Sequence, residues 1–394
     1  MPCYKGEVRL VKVALGMIVR NLSSEVEIMS FIENAEKYGH KLDCVILAHA
    51  LKNDPVVEQS IRKKVPLHTI DISNPAFSRE QMTQHGIPEK VRDTLLNCPI
   101  VSESGLVPYG FNRTVVVIEA ILREIDILFF TDSDVSAAVL KKTLSGSKLE
   151  EVDFYGAHLD QLGRGSDATT GEYSGYNILP PAVFDHMDDL LFGVQKESMR
   201  SYWQTSPKHR CLVYQPDEIE VNPSRKILGG NMAIKLPSFL RLPPFFSTAY
   251  TYNDEMFLGR GEDTVLGFEI EKSSFVCTDI GIHPLHDTYK NYPEEPNLQD
   301  DPGTQMRFYY ALTGWVGRNP FYNHILGKDL SQTRESQREH LAKGLDSLSK
   351  YTSNDKFKTV LGNFDESWNN VNRYISEFNQ TREAWQTFTG KMYN

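Results

Sequence analysis

Asp132 and Asp134 stand one position apart where an apolar run ends, in ILFFTDSDVS, residues 127–136. Two carboxylates so spaced can converge on one hard cation, and Mg²⁺ and Mn²⁺ favour oxygen ligands. A cation held there binds a diphosphate and absorbs charge that grows on a leaving group. The plainer alternative is that Asp132 caps a helix and Asp134 is solvated. A second acidic pair, Glu262 and Asp263, follows a Gly-Arg-Gly turn in LGRGEDTVLGFEI and opens a helical run. Acids at that place complement the helix dipole, or aim a carboxylate into a cleft as a general base. In KILGGNMAIK, Gly229, Gly230 and Asn231 precede an apolar strand. Paired glycines let a backbone approach a ligand closely, or simply make a bulge. DIGIHPLHDTY adds His283 and His286, which are metal-ligand candidates against the commoner structural role of a histidine.

The elements that must hold these residues alternate in type. VKVALGMIV, LDCVILAHA, PLHTIDIS and DILFFTD read as buried strands. Between them, SEVEIMSFIENAEKYGH places Ile28, Phe31, Ile32 and Ala35 on one helical face, with Ser24 and Glu27 spaced as a capping box. DPVVEQSIRKK and NRTVVVIEAILREI are the other helices. Strands and helices alternating at this spacing imply parallel βαβ units. Ligands of such sheets sit at the carboxyl ends of strands near a topological switch point, and the two aspartates lie at one such end. Residues 156–181, rich in Gly, Thr, Ser and Tyr, are expected to form a long loop or a few short strands. Near the C-terminus, Phe364, Trp368, Val371, Ile375 and Phe378 form an apolar seam expected on one helix. Packing onto the main domain explains that seam, and a homo-oligomer built on it is the alternative.

Bulk properties bound the class. A chain of 394 residues with 40% apolar and 24% charged residues suits a globular protein of one or two domains. The division expected is residues 1–300 as an α/β domain and 301–394 as a helical extension packed on it. A net charge of −10 argues against general capture of nucleic acid. No apolar run is long enough for a transmembrane helix, and the charged N-terminal stretch does not read as a signal peptide. The five cysteines are odd in number and lack a CxxC, which suits reduced thiols in a cytoplasmic protein. Tyr173, Tyr176, Trp203, Phe245, Phe246 and Trp315 could stack on sugar rings, although core packing suits most of them.

Taken in order, MIVRN, GFNRTVVVIEAI before DILFFTDSD, then GGNMAI and GRGEDTVLG, resemble a nucleotide-sugar glycosyltransferase of the GT-A fold, family 2-like. The resemblance covers about residues 11–286. It implies a Rossmann-like mixed α/β sheet flanked by helices, a Mg²⁺ or Mn²⁺ cofactor, a nucleotide-sugar donor and a hydroxyl-bearing acceptor. Asp134 is then the more direct metal ligand, Asp132 contacts ribose or metal, and His286 completes the metal shell. Ser133 lies between them in the donor site. Asn112 and Arg113 approach the base and diphosphate. Arg20, Asn21 and His49 line the nucleoside pocket. Gly229, Gly230 and Asn231 face the donor or acceptor sugar, with Glu262 as a further sugar contact and Asp263 as the base of an inverting reaction. A UDP-linked hexose is the expected donor, with GDP-linked second. Retaining enzymes share the fold, the paired aspartates and the histidine without needing that base, so the stereochemical outcome stays open. The 156–181 segment and the C-terminal helices depart from the usual pattern. Three rivals differ in class. A haloacid-dehalogenase-like hydrolase opens its domain with the paired aspartates, a sugar nucleotidyltransferase needs a glycine-rich loop after the first strand, and a non-catalytic carbohydrate-binding protein has no need of four intact acids.

Overall fold

The structure, a computed structural model, describes residues 11–98, 105–200 and 212–392. Cys3, Cys211, Trp203 and the first ten residues lie outside the described residues. Strands β1 (Val13–Val19), β2 (Cys44–His49), β3 (Leu67–Asp71) and β4 (Ile127–Asp132) pair in parallel in the order β3-β2-β1-β4. The next strands in sequence are β5 (Val135–Thr143), β6 (Gly146–Glu151), β7 (Ala168–Thr170), β8 (Gly175–Tyr176), β9 (Leu212–Val213), β10 (Asn222–Pro223) and β11 (Asn231–Lys235). β12 (Ala249–Tyr252), β13 (Glu255–Leu258), β14 (Cys277–Asp279) and β15 (Pro284–His286) complete the set. β11 joins β4 antiparallel, and β7, β14 and β10 extend the mixed sheet to eight strands.

β1, β2 and β4 read as near-continuous apolar runs because both sheet faces are covered, while the edge strand β3, LHTID, does not. Along β1, Val13, Leu15 and Met17 pack with Phe31 and Phe154 on one face. Ala14 and Ile18 pack with Val115, Val117 and Ile121 on the other. The register pairs Ile18 with Asp132 and Val19 with His49. Because β2 and β4 flank β1, the chain reverses its winding at β1, and the cleft between the ends of β1 and β4 is the switch point. Asp132 lies on its rim.

After Asp134 the chain forms a hairpin. β5 and β6 pair antiparallel, and β15 adds to the other edge of β5 with His286 opposite Val135. This second sheet is what carries His286 to the paired aspartates. The helical C-terminal region begins with Pro302–Ile325 and continues through Leu330–Thr352, Val360–Asn369 and Val371–Met392. It buries Phe308, Leu312, Trp315, Leu341, Phe364 and Trp368 against Leu190, Tyr250 and Phe257 in a core of its own.

Three local expectations are corrected. Residues 156–163 are helix, not loop: Asp153 accepts from Gly156 N at 2.8 Å as the cap of Phe154–Gly163. Phe154, Tyr155, His158 and Leu162 of that helix are buried, and its apolar face outweighs the glycines. The C-terminal seam spans two helices that part at Asn370, with Val371 and Ile375 only half-buried. The capping box is displaced: Ser24 Oγ accepts from Val26 N at 3.2 Å, and the helix begins after Glu25.

Candidate active site

Arg113 organises the cleft. It projects from the first turns of the Tyr109–Leu122 helix and is 2% exposed. Its Nε donates to Glu262 Oε1 at 2.8 Å, Nη1 to the Gly229 carbonyl at 2.7 Å, and Nη2 to Asp132 Oδ1 at 2.6 Å. One guanidinium thus ties the end of β4, the turn before β11 and the start of the Glu262–Glu271 helix. Its fork suits this task as an ammonium would not. Burial opposes the charge of Arg113, but Asp132 and Glu262 outweigh burial and hold it protonated. Burial and the adjacent Asp263 push the Glu262 carboxyl above its usual range, against the pull of Arg113. Each guanidinium nitrogen donates one hydrogen bond within the protein, and Nη1 and Nη2 each keep a second N–H.

Asp134 points elsewhere. Its Oδ2 lies 3.2 Å from His286 Nε2 and 3.3 Å from Arg307 Nη2. Burial pushes the Asp134 carboxyl up, but His286 and Arg307 outweigh it and hold the group well below the usual carboxylate range. The Tyr173 ring lies 4.9 Å from that of His286. Tyr173 Oη also accepts from Gly230 N at 2.8 Å. A Cβ on Gly230 would lie 2.5 Å from Asp132 Oδ2, so this glycine permits the close packing of backbone on carboxylate. His283 takes no part: its backbone bonds Gln215 and Ser174, away from Asp134.

Among the described residues, no group of three or more His, Cys, Asp or Glu is arranged to hold a metal. Asp134 and His286 converge as a pair, while Asp132 is turned to Arg113. Two protein ligands fit a cation that keeps waters and substrate phosphates in its shell, as Mg²⁺ does.

Across the cleft, Asp263 Oδ2 accepts from Gly229 N at 3.1 Å and Oδ1 from Thr264 N at 2.7 Å. Gly261 precedes the acidic pair with φ of 92°, and the Tyr322 hydroxyl donates to its carbonyl. Arg20, Asn21 and Ser133 are exposed at the strand ends, and His49 is half-buried beside them. The Arg20 carbonyl accepts from Ala50 N and Leu51 N, which pins β1 to β2 at the rim. Asn112 is 7% exposed, and its Oδ1 lacks a hydrogen-bond partner among the described residues, an acceptor open to a ligand donor.

Asn231 is corrected. Its side chain is fully buried, with Nδ2 donating to the Glu172 and Ile282 carbonyls at 2.9 Å each. Its Oδ1 faces His158 Nε2 at 3.2 Å, and His158 Nδ1 lies 2.7 Å from Thr169 Oγ1. The group is a buried polar clamp, not a sugar contact. Burial pushes His158 down to about 3 from the usual 6.5. The unfolded chain therefore takes a proton below about pH 6.5 that the folded chain refuses until near pH 3. Stability is fully present above that window and falls within it by up to about 1.4 kcal/mol per pH unit from this group. Denaturant unfolding of His158→Gln between pH 6.5 and 4 is expected to show a shallower loss than wild type. An equal slope would refute the assignment.

No protein-family model and no curated protein matches the chain. Among solved structures it is similar to glucosyl-3-phosphoglycerate synthase of Mycobacterium tuberculosis with Mn²⁺, UDP and phosphoglyceric acid, at 12% identity, 81% of this chain, 80% of that chain and TM-score 0.41. The same enzyme with Mg²⁺ and UDP gives 13% identity, 81% and 80% coverage and TM-score 0.40. A mycobacterial protein gives 12% identity, 81% and 76% coverage and TM-score 0.40. Similarity of this degree assigns no activity to this chain.

The cleft contains residues that sequence reasoning missed. Tyr173 stood only among the aromatics. Arg307 and Arg318 come from the C-terminal helix set outside the α/β domain, and Lys196 lies far from every motif. Arg260 was the exception in plain view, inside the Gly-Arg-Gly turn.

Proposed function

We propose that the protein is a divalent-cation-dependent glycosyltransferase of GT-A type that moves a hexose from a nucleoside-diphosphate donor, UDP-linked in the first instance, to a hydroxyl acceptor. The observation that carries this reading is the meeting of Asp134 and His286 at the switch point, facing Asp263 across a cleft fixed by Arg113. A bound Mg²⁺ or Mn²⁺ would offset the charge that develops on the diphosphate. Arg307 adds a fixed positive charge beside the same carboxylate. Arg20, Asn21 and His49 border the nucleoside end, where the free Asn112 carbonyl accepts from the base. Arg113 positions Asp132 toward the donor and holds Glu262 away from solvent.

In the inverting form, Asp263 takes the proton of the acceptor hydroxyl as that oxygen attacks the anomeric carbon and the nucleoside diphosphate leaves. General-base assistance is worth about 10²–10⁴ in rate. Asp263→Asn is therefore expected to lower kcat by that factor with UDP affinity unchanged. A retaining reaction is the second reading. It is favoured by the engagement of both Asp263 oxygens by backbone N–H groups, which suits an orienting acid. Asp263→Asn turnover within about threefold of wild type would refute the base; NMR of the product anomer then decides between the two.

A further inference from the structure

Four basic side chains follow the cleft from Asp134 toward Asp263, in a protein whose net charge is −10. Arg307 and Arg318 share one face of the Pro302–Ile325 helix, eleven residues or about 16 Å apart. Between them Arg260 lies across Gly314, where a Cβ would meet its Cγ at 2.7 Å. Arg318 is 6% exposed, its Nη1 is 2.9 Å from where a Cβ on Gly261 would stand, and its buried Nε has no hydrogen-bond partner. Lys196 Nζ sits 5.2 Å over the Trp315 ring, one turn of the helix from Arg318. Arg307 pairs with Asp134. Arg260, Arg318 and Lys196 have no carboxylate partner among the described residues. Burial and the Arg318 charge push Lys196 down to about 7, although Asp263 pulls it up. Burial likewise pushes Arg260 down, while Asp134 and Glu262 pull it up from beyond ion-pair distance.

Unpaired buried ions cost several kcal/mol each, so such a cluster is kept where a ligand supplies the countercharge. The nearby acids supply only part of it. Glu262 is bound to Arg113, and Asp263 acts on Lys196 without forming an ion pair. The donor does not supply the rest. A cation held by Asp134 and His286, with Arg307, would balance its diphosphate at the Asp134 end, and the Arg318 end lies about three helical turns away, beside Asp263. We infer that Lys196 and Arg318 form an anion pocket on the acceptor side of the cleft, with Arg260 between it and Asp134, so that the acceptor is a hydroxyl compound carrying a phosphate or a carboxylate. This rests on the glycosyltransferase reading above. It adds the charge class of the acceptor and the residues that select it.

The test is a thermal-shift titration with inorganic phosphate and, separately, acetate, against sodium chloride of matched ionic strength, in saturating UDP and Mg²⁺. A saturable rise in Tm with UDP present is expected, and the stronger anion identifies the group on the acceptor. Arg318→Gln and Lys196→Met, on separate elements, are each expected to weaken the anion by tenfold or more with UDP affinity unchanged. Arg318→Lys provides the folded control if the glutamine variant does not accumulate. A response no larger than with chloride, one that UDP abolishes, or one equal in the variants would overturn the pocket. Loss of the anion response with UDP binding intact defeats the acceptor assignment alone. An anion response in a protein that binds no nucleoside diphosphate defeats the transferase reading as well.

Discussion

Asp134→Ala is expected to remove cation-dependent UDP binding and, with it, transfer activity. Among the described residues, Asp134 is the one carboxylate placed against both His286 and Arg307, and it stays ionised far into acid. Substituting a group that merely supports a metal ligand costs about 10–100-fold in affinity. Loss of the ligand itself should exceed the upper figure. The fold should tolerate the change, because His286 and Arg307 keep partial access to water with side chains 22% and 34% exposed. The variant is thus expected to melt near wild type while calorimetry shows no cation-dependent heat. His286→Ala should weaken the cation less, since the carboxylate remains. Unchanged cation-dependent affinity in Asp134→Ala would remove the metal role.

Arg113→Met should unfold the protein far more readily. The substitution leaves Asp132 and Glu262 without their partner and strips a donor from the Gly229 carbonyl. Breaking a buried ion pair by removing one member costs about 3–5 kcal/mol. Arg113→Lys should recover only part of this, because one ammonium cannot span three acceptors on three elements. Adding Glu262→Gln to Arg113→Met should return part of the loss, since the uncompensated buried charge is gone. Chemical denaturation of the four proteins measures this. A loss below about 1 kcal/mol for Arg113→Met would show that the network does not hold the cleft together.

The parallel half of the sheet was legible because strands covered on both faces carry apolar runs with no alternation, and β1, β2 and β4 do so. The pairing of Asp134 with His286 was legible only through the resemblance. Nothing local in DIGIHPLHDTY reveals that β15 adds to β5 and leaves His283 facing away. Asn231 misled because a polar residue after paired glycines looks like a ligand contact. Its burial comes from β7 and the segments around Glu172 and Ile282, which close over it from distant parts of the chain. The cations were hidden for a different reason. Lys196, Arg307 and Arg318 each look like a solvated charge in sequence, and only the docking of the C-terminal helix against the Gly-Arg-Gly turn gathers them.

The central claim is that Asp134 and His286 hold a divalent cation through which a nucleoside diphosphate binds. The most direct measurement is calorimetric titration of UDP into the wild-type protein, with Mn²⁺ and again with excess EDTA. Saturable binding with Mn²⁺ that disappears in EDTA is the predicted result. Equal binding under both conditions, or none under either, would contradict it.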